Sequence, residues 1–206
     1  KFAARNARPD SGVTVYHNAW GLPFLADLDR AVRRISLLHS DLPHIRPILQ
    51  SQLGLVDGIL CVNEAIWKQA RACLPSLERE RIAIVPYPIA PPEGDVPRSP
   101  LRNRPIICGF VGRVVKEQKR VDRLPQLCAA LDASELDYRL EILGDGPDRL
   151  SLERQFRGRS QVVFHGRKAG AAYWNVLSAW DVVVFVSDYE GLPISLLEAL
   201  SVGVLP

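Results

Sequence analysis

Val182-Val183-Val184-Phe185-Val186-Ser187-Asp188-Tyr189-Glu190-Gly191-Leu192-Pro193-Ile194-Ser195-Leu196-Leu197-Glu198-Ala199-Leu200 reads as a strand, a loop and a helix in succession. Its apolar run is continuous rather than alternating, as in a parallel-sheet strand covered on both faces. Pro193 suits the first turn of the helix predicted over 193–200, because a proline there forfeits no helical hydrogen bond. The same unit recurs upstream. Strands predicted at 106–111, 138–143, 161–165 and 181–186 alternate with helices at 122–131, 148–156 and 169–178. Earlier still, strands at 13–17, 35–39, 57–62 and 81–85 alternate with helices at 23–34, 42–54 and 64–74.

Between the two series lie Pro86, Pro88, Pro91, Pro92, Pro97, Pro100 and Pro105. Proline removes amide donors and fixes φ, so this stretch suits neither a helix nor a central strand and reads as a semi-rigid linker. Repeated βα units imply right-handed crossovers and a doubly wound sheet. The expected architecture is α/β with two Rossmann-like lobes, 1–88 and 106–206, joined by a proline-rich linker over 89–105. The sequence has no methionine and stops at Val204-Leu205-Pro206 as another apolar strand begins, so both lobes are expected to be incomplete.

Composition excludes several classes. With 47% hydrophobic and 24% charged residues the chain can build a core, and a net charge of +3 gives no global reason to expect nucleic-acid binding. Cys61, Cys73, Cys108 and Cys128 form no CxxC pair, which points away from a metal site or disulfide framework and toward a reducing, cytoplasmic setting. No apolar run reaches the ~18 residues of a membrane-spanning helix. Peripheral membrane contact stays open.

In open parallel sheets, ligands bind beyond the carboxyl ends of the strands. Following the strands of the second lobe come Gly112-Arg113 with Lys119 and Arg120, Gly144-Asp145-Gly146-Pro147, Gly166-Arg167-Lys168, and Glu190-Gly191-Leu192-Pro193-Ile194. Gly191 admits a close ligand, and the helix-start amides after it form an anion site favoured by the helix dipole. Glu198 stands in the second turn of that helix, where side chains lean back toward the N-terminus. Amides hold phosphate and carboxylates accept from sugar hydroxyls, a pairing that fits a sugar nucleotide. Arg113 and Lys119 can stabilise a departing diphosphate without a metal. Asp145 reads as a turn residue. The Arg167-Lys168 pair reads as a solvated loop, with a base or phosphate as the alternative. Lys116 and Arg120 read as solvated partners.

Over nearly all of 106–206 this ordered set resembles the donor half of the GT4 (group 1) family of retaining glycosyltransferases, which have the GT-B fold. The resemblance implies that Arg113 and Lys119 bind the donor diphosphate and that Glu198 binds the nucleotide ribose. It also implies that Glu190 lies by the transferred sugar, with backbone from Gly191, Leu192, Pro193 and Ile194 meeting phosphate and sugar. Gly144 is taken to clear space for the base. Arg120 departs from the family, which often has glycine there. In the first lobe His39 matches a strand-end histidine facing the sugar, or else is simply a hydrogen-bonded histidine ending a buried strand. Asn63 stands where the family usually has serine.

The implied reaction transfers a sugar from a nucleoside-diphosphate donor to a hydroxyl acceptor with retention, with no metal and no further cofactor. The acceptor could be a glycan, a lipid or a small molecule. Two alternatives remain: a nucleotide-sugar-binding module without turnover, and a dinucleotide-dependent oxidoreductase, disfavoured by the lack of a GxGxxG opening a βαβ unit.

Overall fold

The computed structural model describes residues 12–18, 32–39, 47, 50, 53–92 and 104–206. The chain divides into two compact units, Lys1–Pro88 with Glu190–Leu192, and Ile89–Tyr189 with Pro193–Pro206. The fold class is α/β with two parallel sheets.

The first unit holds β1 (Gly12–His17), β2 (Val32–Leu38), β3 (Gly58–Cys61), α1 (Glu64–Cys73) and β4 (Ile82–Ile84). The strands pair in parallel in the order β1-β2-β3-β4. Leu38, Ile59, Cys61 and Val62 pack with Ile66, Ala70 and Leu74 from α1 and its end. Asn63 starts α1 as a cap: its Oδ1 accepts from the Ile66 amide at 2.8 Å, meeting one of the helix's orphan donors. β2 begins at Val32, so 32–34 is strand where the sequence reading extends a helix to Arg34. Pairing overrides local propensity here: Val32 faces Gly12, and the Arg34 amide bonds the Asp57 carboxylate at 2.8 Å. The remainder of that predicted helix, most of the one predicted at 42–54 and the linker residues 93–103 lie outside the described residues.

In the second unit come β5 (Ile106–Val111), α2 (Leu124–Ala133), β6 (Tyr138–Leu143), α3 (Arg149–Gln155), β7 (Val162–Gly166), α4 (Gly170–Leu177), β8 (Val182–Val183) and α5 (Ile194–Ser201). Strand order is β7-β6-β5-β8, all parallel. Successive strand residues face opposite sides, and both sides are apolar. Cys108, Phe110, Leu140 and Ile142 pack with Leu124, Cys128 and Leu152 on one face. Val111, Leu143 and Val183 pack with Leu177, Trp180 and Ala199 on the other. This two-sided burial explains the unbroken apolar runs.

Trp180, fully buried, lies where a side chain on Gly109 would go; a Cβ there would come within 1.9 Å of its ring. Glu141 is also on that face, and it accepts from Trp180 Nε1 at 2.9 Å and pairs with His165 Nε2 at 2.8 Å. A buried carboxylate is tolerable when its hydrogen bonds are met in this way.

β8 is shorter than the predicted 181–186. The Val184 amide still donates to the Gly109 carbonyl at 2.8 Å, and the Val186 carbonyl accepts from Arg123 Nη1 at 2.8 Å, a side chain in place of a neighbouring strand. Leu205 forms an isolated parallel bridge to Val182.

Candidate functional site

The carboxyl ends of β5, β6 and β7 meet in a cavity of about 690 Å³, well within the size range of ligand sites. It is lined by Gly112, Arg113, Gly144, Arg167, Lys168 and Tyr173, with Val111, Leu143, Asp145 and Gly146 completing the wall. Its floor is main chain. The Gly112 amide donates to the Leu143 carbonyl at 3.1 Å, and the Gly144 amide to the Gly166 carbonyl at 3.0 Å. Gly144 has φ +147°, and a Cβ on it would fall 1.9 Å from the Gly112 carbonyl oxygen. The glycine is therefore required by the crossing of two backbones, before any ligand is considered.

Cations dominate the rim. Arg113 is exposed, and its Nη2 donates to Gln118 Oε1 at 3.0 Å. The Lys119 side chain lies alongside Gly112, with Cε 3.6 Å from where a Cβ would stand. Arg167 and Lys168 line the cavity too, where the sequence reading favours a solvated loop. Asp145 offsets little of this charge, because its Oδ1 accepts from the Gly146 amide at 2.8 Å and its Oδ2 pairs with Arg149 at 3.3 Å. That first bond is the turn role expected of it.

Arg120, the residue that departs from the family pattern, has φ +49°, a conformation that glycine adopts freely and arginine rarely. Its guanidinium bonds Asp122 at 3.2 Å and Asp188 at 2.9 Å, and Arg123 bonds Asp188 at 2.6 Å. Those partners hold the Asp122 and Asp188 carboxyls below the usual range. The Asp188 amide also donates to the Gln118 carbonyl at 3.1 Å. The loop bearing Arg113 and Lys119 is thus tied to the loop after β8. This network is a consequence of tertiary placement and leaves no motif in the sequence.

Glu198, on α5, accepts a hydrogen bond from the Tyr173 hydroxyl. Tyr173 is half-buried and lines the cavity that Arg113 also lines, so Glu198 stands one side chain from that wall. Burial and the Glu198 carboxylate push the Tyr173 hydroxyl well above its ordinary pKa, which keeps it a donor. Sequence reasoning passed over Tyr173; its one signal is an aromatic hydroxyl in the first turn of a helix just after a strand-end glycine.

Pro193 is the N-cap of α5 rather than its first helical residue, and it has no amide to offer. The Leu196 and Leu197 amides donate to the Pro193 carbonyl at 3.0 and 3.4 Å. Ile194 and Ser195 are left as the donors at the helix start. Glu190, Gly191 and Leu192 group with the first unit, where Asn63 Nδ2 donates to the Gly191 carbonyl at 2.9 Å.

His39 follows β2, and its amide donates to Asn18 Oδ1 at 2.7 Å. Its ring stacks between those of His17 and Tyr87, with centroids 4.6 and 5.5 Å away, and its two nitrogens bond His17 Nδ1 and the Tyr87 hydroxyl. Burial, then the neighbouring His17, lowers its pKa and favours the neutral ring. Among the described residues no group of three or more His, Cys, Asp or Glu could hold a metal ion, and no helix is long and apolar enough to cross a membrane.

Residues 94–206 match the family model described as glycosyl transferases group 1. A GDP-mannose-dependent alpha-mannosyltransferase of Mycolicibacterium smegmatis is 40% identical over 101 residues, covering 49% of this chain and 24% of that protein. The lipopolysaccharide 1,6-galactosyltransferase of Salmonella typhimurium is 27% identical over 155 residues, covering 72% of this chain and 41% of its own length. The chain therefore spans less than half the length of these relatives. Among solved structures, the apo form of a lipopolysaccharide outer core galactosyltransferase, WaaB, is similar at TM-score 0.71 and 24% identity, covering 93% of this chain and 54% of that one. The pneumococcal O-GlcNAc transferase GtfA, solved with UDP and GlcNAc, has TM-score 0.69 at 14% identity, covering 94% and 42%.

Proposed function

This chain belongs to the group 1 glycosyl transferases, and from that premise we propose that the protein moves a sugar from a nucleoside-diphosphate donor to a hydroxyl acceptor with retention of anomeric configuration, in the manner of the GT4 members. One observation supports this reading above the others: a glycine-floored cavity whose rim presents Arg113, Arg167 and Lys168, with Glu198 joined to it through Tyr173. A cavity with a cationic rim and an acidic neighbour suits a ligand that carries both phosphate and sugar hydroxyls.

In the proposed reaction the acceptor oxygen bonds to the anomeric carbon as the bond from that carbon to the diphosphate oxygen breaks. The acceptor proton passes to the departing diphosphate, and the products are a glycoside and a nucleoside diphosphate. Arg113 and Lys119 stabilise the charge that grows on the leaving group, as fixed cations can without a metal. The Ile194 and Ser195 amides add donors for phosphate. Glu198 accepts from ribose. For Glu190, Gly191, Leu192 and His39 the roles come from the resemblance: Glu190 and His39 toward the transferred sugar, and the Gly191–Leu192 backbone toward phosphate and sugar. The acceptor is a hydroxyl on a glycan, a lipid or a small molecule, and peripheral membrane association goes with the lipid case. The named specificities of the relatives make GDP-mannose and a galactosyl donor the first candidates to try.

Calorimetry of the protein with UDP, GDP, ADP and NAD tests the reading. Binding of a nucleoside diphosphate and not of NAD is expected. Binding of NAD alone would overturn it in favour of an oxidoreductase. Glu190→Gln is expected to slow sugar transfer strongly, and a binder without turnover would show nucleotide affinity but no transfer by the unaltered protein.

A further inference from the structure

We propose that Tyr173 is a positioning residue that fixes the Glu198 carboxylate for a ribose hydroxyl, so that the cavity takes ribonucleoside diphosphates in preference to their deoxyribose counterparts. The proposal rests on the reading of this cavity as a donor site and names a selectivity within it.

Tyr173 sits in the first turn of α4, half-buried, with its ring on the cavity wall that includes Arg113, Arg167 and Lys168. Behind it, the ring packs with the core around Leu177 and Trp180. Trp174 meets it edge-on, centroids 5.4 Å apart at 76°. A tyrosine has two side-chain torsions, and packing of this kind leaves its hydroxyl in one place. That hydroxyl donates to Glu198 Oε2. Hydrogen bonds from a neutral donor to a carboxylate are among the stronger ones, so the bond orients the glutamate rather than merely touching it.

A carboxylate accepts several hydrogen bonds through its two oxygens. With Oε2 engaged by Tyr173, Oε1 can accept from a sugar hydroxyl, and a diphosphate at the cationic rim brings the nucleotide's ribose hydroxyls into the same neighbourhood. A glutamate free to rotate would lose side-chain entropy on binding that hydroxyl, whereas a pre-oriented one does not. Removing the tyrosine oxygen should therefore weaken ribose recognition and leave phosphate recognition intact. A purely structural tyrosine would show no such dependence on the sugar.

The experiment titrates the protein, Tyr173→Phe, Glu198→Gln and the double variant with the nucleoside diphosphate that the unaltered protein binds, and with its 2′-deoxy and 3′-deoxy analogues. Phe keeps the ring and its packing, and equal thermal midpoints verify this. Tyr173→Phe is expected to weaken ribonucleotide binding about five- to tenfold and to change affinity for one deoxy analogue by less than about twofold. The double variant should resemble Glu198→Gln alone. An equal loss for ribo and deoxy ligands, or no loss, overturns the role of Tyr173 while sparing the donor site. Failure of the unaltered protein to bind any nucleoside diphosphate removes the donor-site reading, and this proposal falls with it.

Discussion

The strand ends of the two units solve the same problem in different currencies of side chain. Beyond β1 and β2 in the first unit stand stacked rings, His17, His39 and Tyr87. Beyond β5, β6 and β7 in the second stand glycines and fixed cations, Gly112, Gly144, Arg113, Arg167 and Lys168. Among the described residues both sheets have four parallel strands, so topology alone does not set this difference. Sequence in the strand-end loops does. On the proposed reading, the phosphate end of the donor goes with the second unit's cations.

The contrast can be broken or sharpened in three ways. The largest expected effect is on stability. Gly144→Ala forces a Cβ to within 1.9 Å of a carbonyl oxygen at a left-sided φ, and a loss of about 3 kcal/mol or more is expected. Gly58→Ala in the first unit meets only the tip of Ile35 at 3.1 Å and the Arg81 carbonyl at 3.4 Å, for a loss of about 1 kcal/mol. Urea unfolding of both variants measures the difference, and equal costs would show that the glycine floor is not special. Next comes binding. Arg113→Ala is expected to weaken nucleoside-diphosphate affinity roughly 10- to 100-fold, the range for losing a charged hydrogen bond. Added salt should reduce the affinity of the unaltered protein and do so less in the variant, by calorimetry at several ionic strengths.

The smallest effect is in acid. His39 binds its proton less readily folded than unfolded, so the unfolded chain takes up more protons as pH falls below about 6.5. The stability that its neutral ring supplies is complete above that pH and declines below it. Asp122 and Asp188 have lowered folded pKa values, so what they supply holds above about 3.9 and declines only as pH falls through the carboxylate range. Hydrogen-exchange protection, corrected for the intrinsic slowing of exchange in acid, should therefore fall first around β1 and β2 and later around β5 and β8 as the solution is acidified. The reverse order would sink the assignment.

Much of this was legible in the sequence because strand-end chemistry is local. Gly112-Arg113, Gly144-Asp145-Gly146 and Gly166-Arg167-Lys168 each follow an apolar run directly, and a parallel sheet puts all such ends on one edge. The cavity lining is mostly those residues. What escaped is what depends on contacts between distant segments. Val32 to Arg34 carry two charges and resemble the end of a helix, but pairing with β1 and the Asp57 side chain makes them strand. The Val186 carbonyl, read as part of a strand, instead accepts from Arg123, 63 residues away along the chain. Tyr173 was passed over because its role rests on Glu198, 25 residues along the chain, which accepts from its hydroxyl.

Because main chain crosses main chain beneath Gly112 and Gly144, the base of the cavity presents the same peptide groups whatever side chains stand around it. Side chains at positions 167 and 168 can then vary with the scaffold undisturbed, which on the proposed reading makes those two positions a natural library for altering donor choice. Randomising position 144 would yield misfolded protein rather than new specificities, so selection and engineering alike are confined to the rim.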